Sequence, residues 1–454
     1  MWEMIPSLLC CVDTLAPAFT QPSFNSNCRL LLAWVMCLGN HTLLRVGDNT
    51  RPQQPPDHSQ RHGLDCYYNF FERSSWQPKD LAYRIALLVL TRLSFSGRIT
   101  LLVDDTLAHK RGKSVWGMGW WRDAVASTKK RVATASGHNW VVMAVAFCVP
   151  GTSRVILALP LLARLRRPGE GRPSCAELAK EMLGEVTGWF AGREFTLVAD
   201  GAYACKEMLK DGSPAPVRFV GRMRGDAAVY DPKVPRQKKG KRGRKPKKGP
   251  RLPSPRDAAR KADRKRTESG GWLWQAVEVT IYGSQRTLLA VSYRAVWPRV
   301  LGFVPIRVVV VRDPEGRMDD VYLFTTDPGA SLGWVIEQFS WRWSIEVLFK
   351  ASKQVMQIEA PRHYCQESVE KVAPWVWSMQ SVIVVWYLTA GQELPQAQQM
   401  RQRMGPWDSE YSLRHMIQVL QRATLDAAIQ PNSASEPQLR DFIQTLQNWA
   451  LLAA

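Results

Sequence analysis

Four residues, one aromatic, two cationic and one acidic, recur at helical spacing in FSWRWSIEVLFKASKQ, residues 339–354: Phe339, Arg342, Glu346 and Lys353. On one continuous α-helix, at about 100° per residue, these four would share a narrow stripe opposite the apolar face. Taken alone, the stripe could be an ordinary exposed face, on which an Arg–Glu pair stabilises a helix by only about 0.3 kcal/mol. Its meaning depends on the other carboxylates of the chain.

Further aspartates follow two apolar runs that predict buried strands. RITLLVDDT contains Asp104 and Asp105, and EFTLVADGAYA contains Asp200. The carboxyl ends of strands are where open α/β sheets place their active sites. Because side chains alternate along a strand, only one of the first two aspartates can face the site.

The three acidic positions, with Glu346 as the third, could together hold two Mg²⁺ ions about 4 Å apart and clamp a phosphodiester for attack by water. Mn²⁺ is expected to substitute for Mg²⁺. The cations beside the glutamate, Arg342 and Lys353, would then contact the DNA backbone on either side of the scissile bond.

The charge balance indicates a polyanionic partner. The 454 residues have a net charge of +21, which favours nucleic acid first and an anionic membrane second, although a merely basic soluble protein is the alternative. Nine cysteines without a CxxC pair are typical of a reducing compartment. The chain shows no 18-residue apolar run and no basic start of a signal peptide. We therefore expect a cytoplasmic protein without a membrane partner, associated with the nucleoid if it is bacterial.

The order of predicted elements divides the chain into five segments. Residues 1–95 are mostly helical. Residues 96–226 contain three strands, then helix, strand, helix and strand, which predicts an α/β mixed sheet flanked by helices with the element order of an RNase H-like fold. Residues 227–330 form a β-rich insertion, 331–390 complete the catalytic core with the glutamate helix, and 391–454 are helical again.

The insertion begins with a block of eleven basic and no acidic residues at positions 233–251. Such a block is expected to be mobile unless it meets a polyanion. Its centre, KRGRKPKK, resembles a minor-groove hook, with a nonspecific tether or a localisation signal as alternatives. The DNA contacts predicted there are Lys241, Arg242, Arg244, Lys245, Lys247 and Lys248.

Two other sets of residues have competing interpretations. Lys110, Arg111 and Lys113, after the first strand, are predicted to face the same phosphates as the glutamate helix, with an ordinary solvated loop as the alternative. Trp272 and Trp274 could stack on an extruded base. We favour the interpretation that these tryptophans fill a small core of the insertion.

Together these motifs resemble the insertion-sequence DDE transposases that share a Tyr, Arg, Glu, Lys signature, in which two, three and six residues separate the four positions. Phe339 stands at the tyrosine position, and the other three match. DDT followed by a basic stretch, and ADGAY, resemble the two aspartate motifs of that family. The resemblance covers roughly residues 95–390 and favours Asp105, which precedes the threonine, over its neighbour.

The resemblance implies Asp105, Asp200 and Glu346 as catalytic residues and metal ligands. It also implies cut-and-paste transposition by a synaptic homodimer on double-stranded DNA, with the N-terminal helices and the basic block on the terminal inverted repeats and a second duplex as target. An RNase H-like nuclease or resolvase without strand transfer is one alternative. A catalytically silent DNA-binding relative is another, although the presence of all three carboxylates disfavours it.

Overall fold

The secondary structure follows the predicted order and adds several elements. The computed structural model describes residues 4–48, 62–95, 97–112, 114–128, 130–152, 154–209, 217–234, 248–264, 272–405 and 408–429. The first half contains α1 (Pro6–Val12), α2 (Gln21–Val35), α3 (Leu43–Asp48), α4 (His62–Glu72), α5 (Pro78–Arg92), β1 (Ile99–His109), β2 (Gly119–Arg122), β3 (Thr134–Cys148), β4 (Ile156–Arg166), α6 (Cys175–Trp189), β5 (Phe195–Ala199), α7 (Lys206–Leu209) and β6 (Val217–Arg222). The second half contains α8 (Pro255–Arg264), β7 (Gln275–Ile281), β8 (Ser284–Val296), α9 (Pro298–Leu301), β9 (Pro305–Arg312), β10 (Val321–Thr325), α10 (Leu332–Trp341), α11 (Trp343–Gln354), α12 (Gln366–Thr389), α13 (Pro395–Arg401) and α14 (Leu413–Ile429).

All ten strands belong to one mixed sheet. β1 is antiparallel to β3 and parallel to β5, β5 is parallel to β6, and β4 pairs with β3. The order β4-β3-β1-β5-β6 is that of an RNase H-like core, because the first three strands form a meander and the next two return through helical crossovers. The predicted RNase H-like mixed sheet flanked by helices is confirmed.

The β-rich insertion extends this sheet instead of forming a separate one. β10 pairs antiparallel with β6, and β9, β8 and β7 continue outward. α8 covers this extension over a small core in which the Trp272 and Tyr293 rings lie 4.7 Å apart and Trp274 Nε1 donates to Asp263. The two tryptophans therefore pack as residues of the insertion's own core.

The two faces of β1 meet different helices. On the face of the even-numbered residues, Thr100 Oγ1 donates to Gln338 Oε1 of α10 at 2.8 Å. Trp140, the partner of Thr106, lies on the same face and packs edge-on against Trp377 of α12. On the opposite face, α6 packs against β3 and β4. The direction of each β1 side chain therefore decides which helical layer it meets.

The N-terminal helices pack against the long helix α12 and share its hydrophobic core. Trp375 Nε1 donates to Asn27 Oδ1 at 2.8 Å, and Trp34 Nε1 donates to the Met356 carbonyl at 3.1 Å. In the described part of the chain, α12 alone is long and apolar enough to span a membrane, yet 94% of that stretch is buried inside the molecule. Its apolar surface on all sides is that of a central core helix.

Candidate active site

Asp104 and Asp200 lie side by side where the parallel pairing of β1 with β5 ends, although β1 itself continues to His109. Ile99–Val103 of β1 are buried, and Asp104 is the next residue. Val103 pairs in parallel register with Ala199, the last residue of β5, and Asp200 follows directly. Extending this register places the two aspartates opposite each other on the same face of the sheet.

Asp104 and Asp105 point to opposite faces, as strand alternation requires. Asp105 Oδ1 accepts a hydrogen bond from the buried Tyr203 hydroxyl at 3.2 Å. Asp104 lies on the face of α10 and α11, where its Oδ2 is 3.1 Å from Arg342 Nη1. Asp104, and not the Asp105 that the adjacent threonine favoured, therefore shares a face with the glutamate helix.

Arg342 bridges two of the candidate carboxylates. One terminal guanidinium nitrogen donates to Asp104 Oδ2, and the other donates to Glu346 Oε1 at 2.5 Å. Burial raises the pKa of Asp104 to about 7; Arg342 opposes this rise, and the carboxylates of Asp105 and Asp200 add to it. Acidic groups from β1, the end of β5 and α11 thus gather around one cation, the arrangement that reduces their mutual repulsion.

The helix that carries these residues is interrupted at Arg342, so the predicted single helix through the four signature positions is wrong. α10 ends at Trp341 and α11 begins at Trp343. The Ser340 and Ser344 hydroxyls donate to the carbonyls of Glu337 and Trp341 at 2.7 and 2.8 Å. Serine-to-carbonyl bonds of this kind bend helices, and the bend lies where the guanidinium enters between the two carboxylates.

A profile of the family described as "DDE superfamily endonuclease" matches residues 14–286, more than half of the chain. The chain belongs to the DDE superfamily endonucleases. The matched range contains both strand-end aspartate motifs and ends before Glu346.

One solved structure similar to this DDE endonuclease is entitled "Cryo-EM structure of piggyBac transposase synaptic complex with hairpin DNA". The two chains are 11% identical, with a TM-score of 0.42 over 98% of this chain and 85% of that one. A search of curated proteins finds no match.

Two predicted DNA contacts of the endonuclease are engaged within the protein. Lys353 Nζ donates to the Leu107 carbonyl at 2.6 Å, and Lys110 Nζ donates to the carbonyls of Glu359 and Pro361, each at 2.9 Å. Burial lowers the pKa of Lys110 to about 8, against the opposing effect of Glu359. These ammonium groups fasten α11 and the loop after it to β1.

The other predicted DNA contacts have different surroundings. Arg111 is exposed, and Lys248 Nζ lies 3.8 Å from the centre of the Tyr230 ring. The remaining predicted contacts lie outside the described residues: Lys113, Lys241, Arg242, Arg244, Lys245 and Lys247.

The donor set suits a hard divalent cation in type, because Asp104, Asp200 and Glu346 offer only carboxylate oxygens. Within the described ranges, no three His, Cys, Asp or Glu side chains are grouped closely enough to hold an ion. Arg342 instead supplies the positive charge between two of the carboxylates. The oxygen donors therefore fit the ion in type. To bind there, the ion would have to take the place of the guanidinium.

Tyr203 is a site residue that the sequence patterns did not single out. It follows Asp200 by three residues and is buried, with its hydroxyl on Asp105. Burial and the neighbouring carboxylates raise its pKa well above the usual value, so the hydroxyl stays a donor. Its place in the ADGAY motif, close to Asp200, could have indicated a residue near the site. The direction of its ring depends on the turn after β5.

Proposed function

We propose that this DDE endonuclease is a DNA transposase that cuts and joins DNA at terminal inverted repeats by a cut-and-paste route. The proposal is carried by one observation: Arg342 pairs with Asp104 of β1 and Glu346 of α11, and the charge of Asp200, at the end of β5, acts on the same guanidinium. Membership in the family supports nucleic acid cleavage, and the net charge of +21 supports a DNA partner.

In this proposal Asp104, Asp200 and Glu346 hold two Mg²⁺ ions, or Mn²⁺ in their place. When bound, the ions would supply a water nucleophile at neutral pH and neutralise charge that develops on the phosphate. The protein contributes rigid positions, because Asp104 lies within β1, Asp200 directly follows β5, and Glu346 lies on a helix tied to β1. Arg342, once exchanged for the ions, is free to pair with a backbone phosphate.

The proposed reaction consists of two successive displacements at phosphorus. In the first, a water oxygen forms a bond to phosphorus, the P–O3′ bond breaks, and the departing O3′ takes the proton, which leaves a 3′-hydroxyl and a 5′-phosphate. In the second, that hydroxyl attacks a target phosphodiester, and the target's own O3′ leaves with the proton. Each step breaks one P–O bond and forms one, so no covalent protein intermediate is needed.

The partners in this proposal are two duplexes, the element ends and the target. Joining two ends requires a synaptic homodimer, and the N-terminal helices with the basic block would bind the terminal repeats. We also propose that the protein works in the cytoplasm, associated with the nucleoid in a bacterial cell. These statements rest on the motif resemblance and the charge of the chain.

Neutral variants of the four acidic residues test the proposed ligands. We expect D104N, D200N and E346Q each to lower the rate of Mg²⁺-dependent cleavage by at least about a hundredfold, since each removes a charge at the reacting phosphate. D105N is the matched control and should cost less than about tenfold. The measurement is cleavage of supercoiled DNA that carries the sequences flanking the chain's gene.

Two results would change the proposal. Loss of cleavage in D105N with activity retained in D104N would return the ligand role to Asp105. Full cleavage by E346Q would remove the proposed function itself. Strand-transfer products from a pre-cleaved end would distinguish a transposase from a nuclease that only hydrolyses DNA.

A further inference from the structure

A cleft of about 920 Å³ opens beside Asp200, at the junction between the catalytic core and the insertion. The turn after β5, the end of β6 and the starts of α8 and α9 form its walls. Trp297 and Tyr322 contribute aromatic surface to it. A continuous path therefore leads from this cleft to one of the three candidate carboxylates.

Three of the arginines that line the cleft make no close ion pair, although the charge of one of them, Arg256, acts on Asp226. Arg222, Arg256 and Arg299 make no ion pair and donate no side-chain hydrogen bond within the described part of the chain. Arg224, in contrast, pairs with Asp226 through both carboxylate oxygens at 2.9 and 2.8 Å. The lining also contains the carboxylates of Asp200, Glu207 and Asp226, but four arginines and Lys206 outnumber them. Guanidinium groups collected in a concave site are suited to bidentate contacts with phosphate.

Rigid elements hold these arginines in place. Arg222 is the last residue of β6, and Arg256 lies in the first turn of α8, where its backbone N–H donates to the Gly225 carbonyl at 2.9 Å. Gly225 is required at this contact, since a Cβ there would lie 2.6 Å from the Tyr322 ring. The cleft is thus preorganised, which lowers the entropic cost of binding.

The positive charge continues from the cleft along α8. Arg256, Arg260 and Arg264 are exposed and follow each other at four-residue intervals, about 6 Å apart along the axis, while Ala258 and Ala262 are buried beneath them. Arg260 makes only an exposed pair with Asp257, at 3.7 Å. A small anion would occupy the cleft alone. A row of cations that extends beyond the cleft matches an extended polyanion.

We infer that this cleft, with the exposed face of α8, binds the phosphate backbone of a DNA strand and leads it to Asp200. The inference rests on the proposed function for its choice of DNA, and it assigns phosphate contacts to Arg222, Arg256 and Arg299. None of these residues belongs to the basic block or to the four signature positions.

The salt dependence of DNA binding by the full chain tests the inference. The triple variant R222Q/R256Q/R299Q is compared with a matched triple variant, R73Q/R154Q/R172Q, which removes three exposed arginines outside the cleft. Both are made in an E346Q background and measured by fluorescence anisotropy with a labelled duplex in EDTA, so that no cleavage intervenes.

For the cleft variant we expect affinity to fall by roughly tenfold or more and the slope of log K against log salt to become shallower by about 2 to 3, because each lost phosphate contact removes about 0.9. The matched variant should change the slope by less than about 1. Circular dichroism and thermal unfolding establish that both variants are folded. Equal slope changes in the two variants would overturn the inference.

Competition with inorganic pyrophosphate separates a DNA strand from a small anion. If pyrophosphate competes with DNA on the parent but not on the cleft variant, and the cleft variant keeps the parental salt slope with DNA, the cleft is a small-anion site and the inference fails. Because binding is measured without divalent ions, this outcome is independent of the cleavage assays. The proposed cleavage could therefore be disproved while DNA binding by the cleft is confirmed. Equally, cleavage could be confirmed while DNA binding by the cleft is disproved.

Discussion

Arg342 holds together carboxylates that would otherwise repel each other. Its guanidinium lies between Asp104 and Glu346, and each of the side chains in the Asp104 pair is 20% exposed. In such a half-buried site the charge of a carboxylate is screened less than at the surface, so a neutralising partner is needed. Either the arginine or bound cations can neutralise the carboxylates, so the two compete for the same place.

The variant R342Q tests this competition. Without divalent ions we expect it to lose about 2 kcal/mol of unfolding free energy, the typical cost of removing hydrogen bonds between charged groups. With Mg²⁺ we expect a larger gain in Tm than for the parent, because the ions no longer displace a guanidinium. Thermal unfolding across a MgCl₂ titration measures both effects.

Arg224 provides the control for this experiment, since it likewise donates two hydrogen bonds to carboxylate oxygens, both of Asp226, but is exposed. R224Q should leave the dependence of Tm on Mg²⁺ unchanged, as expected for a surface ion pair. An identical Mg²⁺ response in R342Q and its parent would show that the arginine and the ions do not share a site.

At the scale of elements, α11 is fastened along β1 at both ends. Arg342 reaches Asp104 near one end, and Lys353 donates to the Leu107 carbonyl near the other. Lys110, the first residue after β1, secures the loop that follows α11. These bonds set the distance between the glutamate helix and the strand-end aspartates.

Lys110 and Arg111 are neighbours with opposite expected roles, so the pair tests this interpretation. K110M leaves the Glu359 and Pro361 carbonyls without their donor and should lower the unfolding free energy by about 1–3 kcal/mol, while the salt slope of DNA binding stays unchanged. R111Q should leave stability unchanged and make the slope shallower by about 1. Urea unfolding and anisotropy measure the two quantities.

The reverse pattern would contradict the structural role of Lys110. A shallower salt slope in K110M with no loss of stability would mean that its ammonium contacts DNA phosphate, as the sequence predicted. The side chain would then have to leave both carbonyls when DNA binds.

At the scale of the whole molecule, two buried histidines link stability to pH. His138 Nε2 lies 2.9 Å from the Trp116 carbonyl, and His363 is a buried residue of the loop after α11. Burial, with a smaller contribution from the charge of the nearby Lys110, lowers the pKa of each to about 4. Both imidazoles are therefore neutral in the folded protein at neutral pH.

Stability should fall on acidification through a window set by these values. Between the unfolded pKa of about 6.5 and the folded value of about 4, the unfolded chain binds more protons, so the free energy of unfolding rises with pH. Their contribution is fully present above the upper limit and is lost progressively below it. Urea unfolding at a series of pH values measures the slope, which H138N/H363N should flatten. An unchanged slope in that variant would assign the acid sensitivity to other groups.

Local patterns in the chain were sufficient for the core and for the positions of the acidic residues. Short apolar runs such as Ile99–Val103 and Phe195–Ala199, each followed by aspartate, predict buried strands before their partners are known, since side chains that are apolar on both faces favour a strand covered on both sides. The order of these runs and the helices between them leaves few topologies, and the RNase H-like order is one of them.

The choice between Asp104 and Asp105, the interruption of the helix at Arg342 and the engagement of Lys110 and Lys353 required the folded molecule. The Arg342–Asp104 contact joins residues 238 positions apart. The register of β1 against β5 and the position of α11 over β1 determine which side chain meets which. Strand alternation states that two neighbouring aspartates diverge, but which one faces the glutamate depends on the layer that each face of the sheet receives.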